Sequence, residues 1–258
     1  MSSPEDLSQF ATLVHIIARL RAPGGCPWDR KQTNETLRNL TIEETYELAD
    51  AVIDNKPSEI KDELGDLLLH IVFYSKIGSE SNDFDIGDVI KGINRKLIYR
   101  HPHVFGETRV KDHEDVKKNW EELKMREGRT VLKGVPVNLP AMIKANRIQD
   151  KVKAVGFDWE EKSQIWDKVN EELSELKKEV QTGNQGGMES EFGDLIFSII
   201  NAARLYGIDP ETALEKTNKK FIKRFNWLEK KASALGKTLK EMTLEEMNRI
   251  WESAKDFD

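Results

Sequence analysis

Residues 171–194 read EELSELKKEVQTGNQGGMESEFGD, and residues 43–66 read EETYELADAVIDNKPSEIKDELGD. The two stretches share one skeleton at a constant offset of 128 positions. Glu172 and Glu175 stand three apart, fifteen residues follow, and Glu191 and Asp194 stand three apart; Glu44, Glu47, Glu63 and Asp66 repeat the pattern. Each copy has one more Glu just before the first pair (Glu171, Glu43), a Gly inside the second pair (Gly193, Gly65) and an apolar run after it, LIFSII or LLLHIVF. Residues i and i+3 of a helix share a face with Cβ atoms roughly 5–6 Å apart. Each copy therefore predicts two helices, each with a carboxylate pair on one face. Asn55-Lys56-Pro57 breaks the first copy between its pairs, and Gly183, Asn184, Gly186 and Gly187 break the second. Such a break favours an antiparallel hairpin that brings all four carboxylates together.

Four clustered carboxylates repel and raise one another's pKa unless a cation neutralises them. Hard divalent ions with oxygen ligands do this, and Mg²⁺ commonly takes a few carboxylates together with substrate phosphates. A solvated acidic helix face would also be rich in Glu, but it has no reason to recur with the same spacing, Gly and apolar run. Gly in a helix costs about 1 kcal/mol against Ala, so its presence in both copies implies close helix packing or room for a ligand.

The repeat divides the 258 residues into an N-terminal domain, 1–133, a linker, 134–141, rich in Pro and Gly (GVPVNLPA), and a C-terminal domain, 142–258. Charged residues make up 33% and hydrophobic ones 38%, which suits amphipathic helices better than a buried parallel sheet. The expected fold is all-α, two tandem helical bundles. The net charge of −6 gives no global basic footprint, so no direct nucleic-acid binding is expected. Cys26 is the only cysteine, which excludes an intramolecular disulfide and fits a reducing compartment. The first residues, MSSPEDLSQF, lack a signal-like region, and no stretch reaches the roughly 18 apolar residues of a membrane span. A cytoplasmic protein that does not enter the membrane is expected.

Apolar spacing predicts helices over Leu7–Leu20, Thr41–Asp54, Ser58–Lys76, Asp88–His101, Met142–Val155, Ser163–Thr182, Met188–Leu205, Glu211–Leu235 and Thr243–Ala254, with a charged helix around Trp120. Residues 22–29 (APGGCPWD) read as a loop on which Trp28 either grips a base or plugs the end of a bundle. His70, one turn beyond Asp66, reads as a packed core or surface residue rather than a ligand. His101 and His103 flank a Pro with no third His nearby, which makes them a poor metal pair.

The repeat extends past the acids. NRKLIYR (94–100) matches NKKFIKR (218–224), aligning Lys96 with Lys220 and Arg100 with Arg224, and Trp120 matches Trp251. Acids to hold cations, Lys and Arg to neutralise phosphate oxygens and an aromatic to stack a base are the set a nucleoside di- or triphosphate requires. The paired acids, KFIKRF (220–225) and RHPHVFG (100–106) together resemble the MazG family of nucleoside triphosphate pyrophosphohydrolases, over nearly the whole chain. The resemblance implies an all-α fold, a homodimer, Mg²⁺ dependence with Mn²⁺ able to take its place, and cleavage of NTPs and dNTPs to a monophosphate and pyrophosphate. Carried over by position, Glu172, Glu175, Glu191 and Asp194 are implied as Mg²⁺ ligands. Lys168, Glu171, Lys220, Lys223, Arg224 and Trp251 are implied nucleotide contacts. Their first-half counterparts are Glu44, Glu47, Glu63, Asp66, Lys96, Arg100 and Trp120.

Two departures favour the second half as the stronger site: Leu40 stands where the second half has Lys168, and Tyr99 where it has Lys223. No Ser-His-Asp set can be assembled and Cys26 has no evident partner base, so direct attack by water is expected. Glu171 or Glu175 is the expected acid acting on that water. A four-helix oxidase would need Glu-x-x-His motifs, and no His has Glu three before it. Gly236-Lys237-Thr238 imitates a phosphate loop, but Lys231 stands where that motif needs Gly. The competing class is a non-catalytic helical dimer that binds nucleotide or a protein partner as a regulator, with one or both acid sets inert.

Overall fold

The computed structural model describes residues 4–112, 115–116 and 130–254. All regular structure among them is helical. The chain forms two compact units, Met1–Lys111 and Asp112–Asp258. Residues 134–141, expected to be the linker, fall inside the second unit, and Trp120 with most of the charged helix expected around it lies outside the described residues.

In the first unit, α1 (Pro4–Arg21), a short α2 (Pro27–Lys31), α3 (Asn34–Ile53), α4 (Pro57–Glu80), α5 (Ile86–Arg100) and a single turn α6 (Pro102–Phe105) follow in order. α3 begins seven residues before the expected Thr41, because Thr33 and Thr36 form a reciprocal capping box, side chain to backbone in both directions, that satisfies the N–H groups of Thr33 and Thr36. Leu37, on this added turn, is fully buried. Asp54 to Lys56 make a turn tight enough to send α4 back along α3, and Pro57 opens α4 where its missing N–H is harmless. The core joins Ile17, Leu37, Val72 and Phe73, with Phe10, Leu13, Leu40, Leu69 and Tyr74 packed around them. Gly25 is required where it stands, since a Cβ there would meet the Leu20 carbonyl oxygen at 2.2 Å.

The second unit contains α7 (Ala141–Lys153), α8 (Gln164–Thr182), α9 (Gln185–Leu205), α10 (Pro210–Ala234), a 3₁₀ turn (Leu239–Glu241) and α11 (Leu244–Ala254). Gly183, at φ +68°, ends α8 in the left-handed conformation that favours glycine, and the Asn184 side chain caps α9 by accepting from the Gly187 N–H. This two-residue reversal makes α8 and α9 the same antiparallel hairpin as α3 and α4. α9 also packs on α7 and α10, and Ile165, Leu176, Ile200, Leu228 and Ala232 are buried. Gly236, at φ +69°, follows α10, so the GKT triplet is a helix stop.

Gly65 and Gly193 do not mark close packing among the described residues. A Cβ added at either would meet nothing within 4 Å, so each faces open space on the helix that carries the second acid pair.

Candidate active site

Both hairpins bring their acids together. In the second unit, Glu172 and Glu175 on α8 and Glu191 on α9 each place a carboxylate oxygen within 4.8 Å of the others. In the first unit, Glu44 on α3 with Glu63 and Asp66 on α4 form the corresponding triad. The remaining members, Asp194 and Glu47, lie just outside these triads but act on them electrostatically. Burial, then repulsion by Glu175 and Asp194, pushes the Glu191 carboxyl up from its ordinary value. Burial, then Asp66 and Glu47, pushes Glu44 up, and burial, then Glu47 and Glu44, pushes Glu63 up. Carboxylates forced together are the condition a divalent cation relieves.

The two sites differ in what sits beside them. Glu172 is only 6% exposed. The Lys168 ammonium donates to it at 2.7 Å and to Glu171 at 2.9 Å, and these two hydrogen bonds push the Lys168 pKa up. Leu40, the first-unit counterpart of Lys168, instead packs against the core. His70 is buried one turn from Asp66 with Nδ1 unpartnered among the described residues; burial lowers its pKa against the pull of Asp66.

The basic face of α10 meets α11 beside an aromatic cluster. The Arg224 guanidinium lies 5.8 Å from the Trp251 ring centre, Phe221 lies 4.9 Å from the same ring, and Lys231 sits 4.4 Å over Trp227. Lys223, Arg224, Trp227 and Lys230 line a cavity of about 360 Å³, while Lys220 is exposed on the same helix. In the first unit Lys96 is exposed on α5 and Arg100 is buried at its end. Trp28 is 58% exposed on α2, so it plugs nothing within its unit. His101 donates from Nδ1 to the Leu97 carbonyl oxygen, 2.7 Å away, at the end of α5, and His103 stacks obliquely on it at 5.6 Å.

A family model described as the MazG nucleotide pyrophosphohydrolase domain matches the chain twice, over residues 32–105 and 160–228, and each match spans one acid hairpin. The chain belongs to the MazG family. Over 253 residues it is 42% identical to a Thermotoga maritima protein named nucleoside triphosphate pyrophosphohydrolase/pyrophosphatase MazG, covering 96% of each chain. It is 38% identical over 257 residues to the nucleoside triphosphate pyrophosphohydrolase of Escherichia coli K12, covering 96% of this chain and 98% of the other. It is also 45% identical to the uncharacterized protein YabN of Bacillus subtilis over 97% of this chain, which spans 52% of that relative. As a MazG-family enzyme the chain is a hydrolase acting on acid anhydrides.

Two polar pairs in this MazG-family chain carry no sequence signature. Arg21 donates to Glu80 and to the carbonyl oxygens of Asp29 and Gln32, and Arg204 donates to Asp158 and Asn201. Both arginines sit on helices that read as ordinary amphipathic segments, and their carboxylate partners, Glu80 and Asp158, are distant in sequence.

Proposed function

We propose that the protein is a Mg²⁺-dependent nucleoside triphosphate pyrophosphohydrolase, acting on NTPs and dNTPs and yielding a monophosphate and pyrophosphate. The observation that carries the reading is the triad Glu172, Glu175 and Glu191, three oxygen ligands within 4.8 Å of one another next to a lysine that can turn to phosphate. The donor set fits Mg²⁺, which is hard, prefers carboxylate oxygens and is shared with substrate phosphates. Glu172, Glu175, Glu191 and Asp194 would hold it, and Glu44, Glu47, Glu63 and Asp66 would do so in the first unit. When bound, the metal neutralises phosphate oxygens and lowers the pKa of coordinated water.

The chain's own groups supply the rest. Water attacks phosphorus at the α–β anhydride, its proton passes to a carboxylate, Glu171 or Glu175, and the bond to the pyrophosphate oxygen breaks. Lys168, Lys220, Lys223 and Arg224 neutralise the charge that builds on the departing pyrophosphate. Trp251, wedged between Phe221 and Arg224, offers an aromatic face to the nucleotide. The first unit has the acids but lacks the counterparts of Lys168 and Lys223, so the second unit is the stronger site. The protein acts in the cytoplasm as a homodimer, its exposed apolar helix faces covered by a second copy.

Product analysis on dATP with Mg²⁺, for the wild type, Glu44→Gln and Glu172→Gln, tests this. Monophosphate with pyrophosphate, lost in Glu172→Gln and kept in Glu44→Gln, is expected. Diphosphate with phosphate, or turnover undiminished in Glu172→Gln at saturating Mg²⁺, would overturn it. Nucleotide bound but never consumed would establish the regulator instead.

A further inference from the structure

A cavity of about 460 Å³ opens in the second unit between α7, the loop after it and α9. Its size falls within the roughly 300–1,000 Å³ of small-molecule pockets. Gln149 on α7 lines it and is only 3% exposed. The Gln149 Nε2 donates to the Phe197 carbonyl oxygen at 2.9 Å, which leaves Oε1 as the open acceptor, and that atom has no partner among the described residues. A buried acceptor left unpaired is costly. In a cavity wall it calls for a donor from outside the chain.

Asn201 on α9 supplies the opposite function. Its Oδ1 accepts from Nε and a terminal nitrogen of Arg204 at 3.0 and 2.7 Å, and Arg204 is itself clamped by both carboxylate oxygens of Asp158. With Oδ1 taken, the Nδ2 of Asn201 remains to donate. Arg204 and Asp158 neutralise each other, so the cavity offers no net charge to a phosphate. Its remaining walls include Phe157, Trp159 and Phe197, which are flat and apolar. One acceptor, one donor and aromatic faces with no net charge match a planar heterocycle with hydrogen-bonding groups on its edge.

Position points to the same ligand. Asn201 is seven residues beyond Asp194, two turns of one helix, hence on nearly the same face and about 10.5 Å along the axis. A nucleotide with its phosphates at the acid pairs can extend its base that far. The first unit does not reproduce this wall. In the 128-residue register Asn201 corresponds to Phe73, a buried core ring with the Arg21 guanidinium 5.2 Å above it.

We propose that this cavity receives the nucleobase of the substrate, with Gln149 Oε1 accepting from and Asn201 Nδ2 donating to the base edge. The proposal rests on the reading above that the α8–α9 carboxylates hold the triphosphate. It makes Gln149 and Asn201 base-contacting residues of the second unit.

The test separates base from phosphate. Wild type, Gln149→Leu and Asn201→Ala are compared for kcat/KM on ATP, GTP, CTP and UTP, and for inhibition by ribose 5-triphosphate, which has no base. About a tenfold fall in kcat/KM for one or more of the nucleotides, with inhibition by ribose 5-triphosphate unchanged, is expected. Unchanged kcat/KM on all four overturns the proposal, as does inhibition that weakens in step with turnover. A changed dimer mass with unaltered nucleotide kinetics also overturns it, and makes the cavity a seat for a second copy. If the wild type releases no pyrophosphate from any nucleotide, the hydrolase reading fails on its own. Calorimetric binding of AMP, GMP, CMP and UMP against ribose 5-phosphate in the same three proteins then decides the cavity.

Discussion

The Lys168 ammonium lies 2.7 Å from a carboxylate oxygen of buried Glu172, so a proposed metal ligand is already engaged by a cation of the chain itself. The same ammonium reaches Glu171 at 2.9 Å. Metal bound to Glu172 would compete for that carboxylate and release Lys168 toward a phosphate. Lys168→Met should therefore bind Mg²⁺ more tightly than the wild type when nucleotide is absent, since the competing charge is gone. It should still lose about 10²-fold in kcat/KM, because a phosphate donor is gone too. Titration calorimetry with Mg²⁺ alone and pyrophosphate release together check this. Weaker Mg²⁺ binding in the variant would mean that Lys168 only orders the site.

Metal should change how stability depends on pH. Glu44, Glu63 and Glu191 all titrate above their ordinary value, chiefly through burial and the neighbouring carboxylates. An acid whose pKa rises on folding favours the folded state while protonated and opposes it once ionised. The metal-free protein is thus relieved of this strain at low pH and gains it as pH climbs through the raised values. Mg²⁺ binds the ionised groups and removes the penalty. At saturating Mg²⁺ the Tm should rise by about 5–10 °C at pH 8 and far less at pH 5. Equal shifts at both pH values would show that the carboxylates are not the metal site.

The spacing of the acids was enough to read the hairpins, because i, i+3 pairs and a turn between them leave few ways to fold. The all-α repeat followed from the same skeleton. Helix starts were less legible: α3 begins at Asn34 because of a Thr–Thr capping box, a signal weaker than the usual Ser/Thr with Glu. The open space beside Gly65 and Gly193 could not be told from close packing, since both demand the same residue. Gln149 and Asn201 were illegible for a different reason. A neutral amide on an amphipathic helix looks like a surface residue until its burial and partners are known.

The ion pair behind Asn201 should matter to stability. The Arg204 side chain is 7% exposed and that of Asp158 17%. Burial would raise the Asp158 pKa, but the hydrogen bonds and charge of Arg204 outweigh it and hold the carboxyl below its ordinary value. That contribution is present above the unfolded pKa and is lost as pH falls through the lowered one. Arg204→Met, which strands Asp158, should cost about 3 kcal/mol by urea denaturation. Adding Asp158→Leu should recover much of it, since no unpaired charge is left. A double variant as unstable as the single one would mean that Arg204 acts through its packing.

The apolar faces make the last prediction. On α5, Val89, Ile90, Ile93, Leu97 and Ile98 are each 38–53% exposed, and on α9 Phe192, Ile196 and Ile199 are about half exposed. Stripes of this kind on consecutive turns are rare on monomers and mark interaction surfaces. A second copy covering them gives an isologous dimer, in which each substitution counts twice. Sedimentation equilibrium should give twice the 29.7 kDa chain mass for the wild type. Ile93→Asp with Leu97→Asp should lower this toward one chain mass, with the helical circular dichroism retained. A wild type that sediments as a single chain would remove the homodimer from the proposal. A variant that stays dimeric would clear α5 of the interface and leave the α9 face to carry it.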